Sequence, residues 1–156
     1  MTTDPAPATN SQLDDLLTRL VDQVAQVRCA VVVSEDGLVV SKSTSFPRPE
    51  AERLAATASA LMSLNRGVCT DFGGGAVLQS LLEMSSGYLV LTSAGTGAYL
   101  AVITTENADV GVVVFEMNML VKKIGEHLSA LPRAEFAFGS PSSPRTAWQS
   151  STGGTP

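Results

Sequence analysis

Leu13, Leu16, Leu17, Leu20, Val21 and Val24 recur at helical spacing, and Ser11 is the N-cap they imply, with Asp14 three residues on. Ala30-Val31-Val32-Val33 is an unbroken apolar run suited to a strand buried on both faces. Glu35-Asp36-Gly37 reads as a hairpin turn, because glycine supplies the positive φ such turns need, and Leu38–Ser41 returns as a second strand. Pro47 and Pro49 stop the sheet and start a second helix, Pro49 to Arg66, with Gly67 as its stop. A three-strand meander follows: Ala76–Glu83, a turn at Ser85-Ser86-Gly87, Tyr88–Ser93, a turn at Gly95-Thr96-Gly97, and Ala98–Thr104. Asp109 caps a third helix whose stripe runs from Val110 to Leu131, and Pro132 ends it. The order is α-β-β-α-β-β-β-α. It predicts an α+β domain over residues 11–131: a five-stranded antiparallel sheet, with the second helix on one face and the terminal helices on the other. Residues 1–10 and 132–156, rich in Pro, Ser, Thr and Gly, are expected to be disordered tails.

Composition narrows the function. Ten Lys and Arg against fifteen Asp and Glu give a net charge of −5. The four charges of the tails (Asp4, Arg133, Glu135 and Arg145) cancel, so the excess sits on the domain. That argues against nucleic acid and against anionic lipid as partners. Charged residues are only 16% of the chain, below the roughly 25% of an average domain, which points to a surface covered by self-association. The longest apolar runs fall short of the roughly 18–20 residues that span a bilayer, and the N-terminus carries no secretory signature. Cys29 and Cys69 form no CxxC pair, and they read as reduced core residues of a cytoplasmic protein.

No catalytic set emerges. His127 is the single histidine, read as a solvated helix residue, and no G-x-S-x-G elbow exists. Asp71-Phe72-Gly73 copies a kinase tripeptide without its companion motifs. The segments Gly73-Gly74-Gly75 and Gly95-x-Gly97 lead into strands, whereas a phosphate loop must open a helix. No metal or cofactor is implied. Lys122-Lys123 suits a helix C-terminus. In the C-terminal tail, Phe136, Phe138 and Trp148 are either scattered residues or a short docking motif.

Two features suggest protein contacts instead. The second helix is dense in Ala and Ser, which lets another backbone approach. Its main apolar stripe is Leu54, Ala58, Leu61 and Met62. Arg48, Glu52, Arg53 and Arg66 flank it as a solvated face or a docking surface. The third strand is expected at the sheet edge, where an apolar strand left bare aggregates. Antiparallel pairing with its own copy would cover it with two-fold symmetry and bring the two second helices together.

Taken with Gln26–Val39, which runs from the first helix through a strand into the Asp36-Gly37-Leu38 turn, and with the Ala-rich stretch Leu54–Leu64, this order resembles the roadblock / dynein light-chain family. The likeness is greatest to stand-alone actinobacterial members, encoded beside a sensor-kinase-like protein and a small Ras-like GTPase. The resemblance implies a profilin-like sandwich and a non-catalytic homodimer. The third-strand edges join into one ten-stranded sheet, the second helices pair across it, and a small Ras-like GTPase docks on the composite surface. A stimulating member can act by ordering the GTPase's own residues. The family's interface positions map onto Ala76, Val77, Leu78, Gln79, Ser80, Leu81 and Leu82, and onto Leu54, Thr57, Ala58, Leu61 and Met62. A GAF- or PAS-like ligand sensor and a purely structural dimerisation subunit are the competing readings.

Overall fold

The structure, a computed structural model, describes residues 8–95 and 97–129, with the side chains of 8 and 9 left aside. Helix α1 spans Ala8–Gln23, strand β1 Val27–Ser34, β2 Val39–Lys42, helix α2 Arg48–Phe72, β3 Gln79–Met84, β4 Gly87–Ser93, β5 Ala98–Thr104 and helix α3 Val110–Ser129. The predicted order holds throughout. The five strands form one sheet in the order β2-β1-β5-β4-β3, every neighbouring pair antiparallel.

The centre of the sheet explains the unbroken run in β1. Ala30 and Val32 join Leu100, Val102 and Val90 on the face covered by α1 and α3. Val31 and Val33 join Leu89, Leu91 and Ala101 on the face covered by α2. Each fully buried Val or Leu contributes about 1.5–3 kcal/mol relative to an exposed one, so these two layers supply the main folding drive. The hairpin turns as the sequence predicts: Gly37 has φ +82°, and its N–H donates to the Ser34 carbonyl at 2.9 Å. At the start of α3, Asp109 Oδ1 accepts the Val112 N–H at 3.2 Å, the expected N-cap.

Three expectations are corrected. Helix α1 begins at Ala8, so Ser11 lies inside it and Ala8–Asn10 belong to the domain rather than to a tail. Asp14 serves no capping box; its Oδ1 accepts Ser41 Oγ at 2.5 Å and the Lys42 N–H at 3.1 Å, tying α1 to β2. Helix α2 does not stop at Gly67. It runs on through Asp71 and Phe72 to Gly73, where φ +67° turns the chain left-handed and the Gly74 N–H closes on the Cys69 carbonyl at 2.8 Å. A glycine inside a helix costs only about 1 kcal/mol relative to alanine, too little to end a helix this long. β5 has the expected bounds; the other strands shift by up to three residues, most in β1, which starts at Val27 rather than Ala30, and in β3, which starts at Gln79 rather than Ala76. The predicted turn residue Thr96, the segment Leu131–Pro132, the tail 132–156 and residues 1–7 lie outside the described residues.

Candidate protein-protein interface

The site is built from what the sheet leaves uncovered. β3 pairs with β4 from Gln79↔Thr92 to Met84↔Gly87, and its other side is open. Because paired residues share a face, Leu82 and Met84 lie on the α2 side and Leu81 on the α3 side. Leu81, Leu82 and Met84 are all exposed, and Leu78, just before the strand, is 78% exposed. Ala76 and Gln79 are exposed, Ser80 is partly buried, and Val77 packs on the α2-side core.

Helix α2 packs on β1, β5 and β2 of the same sheet, and it is covered unevenly along its length. Its buried residues are Ala51, Ala55, Ala58 and Met62; none follows Met62. The last turns therefore carry large apolar side chains that stay largely exposed: Leu64 is 70% exposed, Val68 58% and Phe72 83%. Leu54 and Leu61 pack partly against the core, and Thr57 is exposed with its hydroxyl donated to the Arg53 carbonyl at 3.0 Å. Of the helix-two interface positions, Ala58 and Met62 are corrected: at 0% and 1% exposure they are the floor of the helix, pressed on the sheet. The stripe read from sequence was the inward face. Val68 and Phe72 lie beyond the helix end that Gly67 suggests, and Leu64, inside that helix, falls off the stripe read from sequence. Without that stop, the spacing Leu54, Leu61, Val68 continues for two more turns along the same flank.

The four predicted docking residues do not converge. Arg48 and Glu52 pair with each other at 3.2 Å, both exposed. Arg53 lines an open groove of about 400 Å³ with Arg28, Ser45, Phe46 and Glu50. Arg66 lies on another flank: it hydrogen-bonds the Tyr99 hydroxyl, stands 3.6 Å from Glu35 Oε1, and lies over the Tyr99 ring. Arg66 thus links α2 to the buried Tyr99 of β5 and to Glu35 of the β1–β2 hairpin, where Ser59 Oγ also donates to the Glu35 carbonyl at 2.6 Å. Its guanidinium is engaged within the chain, with the side chain 45% exposed.

Other chemistry is sparse. Both cysteines are thiols; Cys29 is buried and Cys69 partly so. Burial pushes the Cys29 thiol above its ordinary value, against the smaller opposing effects of a backbone hydrogen bond at Ile103 and the charge of Arg28. His127 is partly buried rather than solvated. Among the described residues no group of three or more His, Cys, Asp or Glu could hold a metal, and no helix is long and apolar enough to cross a membrane.

Fold and edge together define a class: a three-layer α+β interaction domain with helices on both faces of its sheet and one edge left open. A sequence model of the Roadblock/LC7 domain matches residues 13–104, and the chain belongs to that family. A Roadblock/LC7 domain from Streptomyces avermitilis is 62% identical over 72% of this chain and 97% of its own, with a TM-score of 0.61. A second domain of that kind from the same organism is 40% identical over 74% and 97%, with a TM-score of 0.72. Myxococcus xanthus MglB shares the fold at 16% identity over 78% and 98%, with a TM-score of 0.71. No curated protein matches the chain.

Proposed function

We propose that this chain is a non-catalytic adaptor that forms a homodimer through β3 and α2, binds a small Ras-like GTPase on the composite surface, and modulates its nucleotide cycle within a cytoplasmic signalling complex. The observation that carries the reading is the bare apolar β3 edge beside the exposed apolar end of α2, on the fold of a family whose members are regulators. A six-residue strand with leucines on both faces and no covering element invites a matching strand. Its own copy supplies one in antiparallel register, and the two α2 ends then bury Leu64, Val68 and Phe72 in one contact. The interface comprises Leu54, Thr57, Leu61, Leu64, Val68 and Phe72 of α2 with Ala76–Leu82. The residues Arg48, Glu52 and Arg53 are the polar border left for the GTPase. A sensor-kinase-like protein is the further partner that the family likeness suggests.

The deciding experiment measures affinity for the small GTPase encoded nearest to this chain, loaded with GDP and then with a non-hydrolysable GTP analogue. Tighter binding of one form is expected, and by linkage the adaptor then shifts that GTPase's nucleotide preference by the same factor. Equal binding reduces the role to a constitutive scaffold. Binding of neither form overturns the GTPase assignment and leaves a structural dimerisation subunit.

A further inference from the structure

The groove beside Arg53 owes its form to a break in β1. Val27 packs into the core on the α1–α3 face of the sheet, and Cys29 into the core on the α2 face. On a regular strand, residues two apart share a face. Here the register with β5 slips between them: Val27 pairs with Thr104 and Cys29 with Ile103, which leaves Arg28 as the extra residue of a β-bulge. The bulge brings Arg28 to the groove next to Cys29, and Arg53 lines the same groove from α2. Both arginines are exposed, and neither guanidinium is in an ion pair among the described residues, whereas Arg48 and Arg66 of the same helix each stand beside a carboxylate. The lining holds one carboxylate, Glu50, so two arginines leave the groove one net positive charge on a chain of net −5. Phe46, Leu54 and Ile103 add apolar surface, the first buried and the others half-buried. Helix α2 starts at the same place, and its N-cap Pro47 gives the first turn's N–H groups no side-chain acceptor.

We propose that this groove binds an acidic side chain flanked by apolar ones on a protein partner, the carboxylate between Arg28 and Arg53 and its apolar neighbours against Phe46, Leu54 and Ile103. A guanidinium matches a carboxylate with two parallel N–H···O bonds, which makes an unpaired arginine couple a specific reader of that group. The single net charge favours a monoanion. A phosphate ester, with roughly 1.5–2 negative charges at pH 7, would bring excess charge against Glu50. The shape favours a segment of chain over a free metabolite. At about 400 Å³ the groove is at the small end of the roughly 300–1,000 Å³ of ligand pockets, and it is open, so it cannot enclose a ligand as those pockets do. Glu50 remains as an acceptor for a backbone N–H of the bound segment. Leu54 also belongs to the proposed dimer surface and Arg53 to the proposed GTPase border, but binding here requires neither the dimer nor a GTPase.

Nuclear magnetic resonance titration of the full chain with the peptide acetyl-Leu-Glu-Leu-amide tests it. The backbone amides of Arg28, Cys29, Glu50 and Arg53 should shift together and saturate below about 10 mM peptide. The glutamine counterpart, acetyl-Leu-Gln-Leu-amide, should bind at least about ten-fold more weakly, and so should the glutamate peptide to Arg28→Gln or to Arg53→Gln. Both arginines are exposed, so the melting temperatures of these variants should match that of the parent and serve as the folding control. Leu82→Asp should leave the titration unchanged, which separates this result from the fate of the dimer and of the GTPase reading. Absence of a saturable shift at these amides overturns the proposal. So does equal binding of the glutamine peptide, which would reduce the groove to an apolar contact. Undiminished binding to Arg28→Gln/Arg53→Gln overturns it as well, by placing the peptide elsewhere. Tighter binding of the phosphoserine counterpart would assign the groove to a phosphopeptide instead.

Discussion

The sheet has two edges, and they are finished differently. β2 is four residues long, pairs with β1 through an irregular register between Val32 and Val33, and is clasped from the side by Asp14 of α1. Ser43 seals its end, accepting the Ala30 N–H at 3.2 Å on a buried hydroxyl. Shortness, a bulge and a covering element are three ways by which a protein keeps an edge from pairing with strangers. β3 has none of them. It is six residues long, its register with β4 is unbroken, and no helix is laid over it. The same chain thus closes one edge and leaves the other open, so the open one is a feature with a use.

The largest expected effect breaks the open edge. Leu82→Asp, or Leu78→Asp beside it, places a charge where a second β3 would lie. The dimer should weaken at least about 100-fold, a loss near 2.7 kcal/mol. Light scattering should show the mass halve while the melting temperature of the domain stays within a few degrees. A variant that remains dimeric at micromolar concentration would assign dimerisation to another surface. A smaller loss, about ten-fold, is expected from Phe72→Ser or Leu64→Ser, which remove apolar area from the α2 end but leave the strand pairing intact. If these weaken the dimer more than Leu82→Asp does, the helices carry the contact and the strand edge follows.

The mirror experiment opens the closed edge. Asp14→Ala leaves the Lys42 N–H and the buried Ser41 hydroxyl without their acceptor. Unmade bonds of this kind cost about 1–3 kcal/mol, and thermal unfolding should shift down by at least about 4 °C. Dimer affinity should hold, because β2 lies four strands away from β3. Coupled loss of both would mean that the two edges communicate through the sheet.

The contrast between edges also marks what the sequence alone discloses. Local signals were legible: the Gly37 turn, the Asp109 cap and the two-faced burial of Val31 and Val32 each follow from the residues that make them. The open edge was legible too, since the first strand of a meander has a partner on one side only. What failed depended on tertiary contacts. Asp14 reads as part of a capping box until β2 is folded against it. Gly67 reads as a helix stop because propensity is local, while the true stop at Gly73 is set by a left-handed turn. That one displaced boundary hid Val68 and Phe72. With the stripe assigned without knowing the side of the sheet, Ala58 and Met62 were placed on a surface they do not reach. Arg66 looked available because nothing in sequence links it to Tyr99, thirty-three residues away.

The smallest effect uses the two thiols as reporters of the two environments. Cys29 is buried in the covered centre of the sheet; Cys69, partly buried, sits in the last turns of α2 beside Gly74. An aromatic disulfide reagent at pH 8 should therefore label Cys69 at least about ten-fold faster, because reaction requires both an accessible sulfur and its thiolate form. The sign of the pH effect follows from burial. The folded state holds the Cys29 proton more tightly than the unfolded chain does. Its contribution to stability is complete below the unfolded value near pH 8.5 and is lost as pH rises through the higher folded value. Cys29→Ala should flatten the fall in stability above pH 8.5. Equal labelling rates would mean that the centre of the sheet opens as readily as the end of α2, and the distinction between the two regions would then be one of shape rather than of stability.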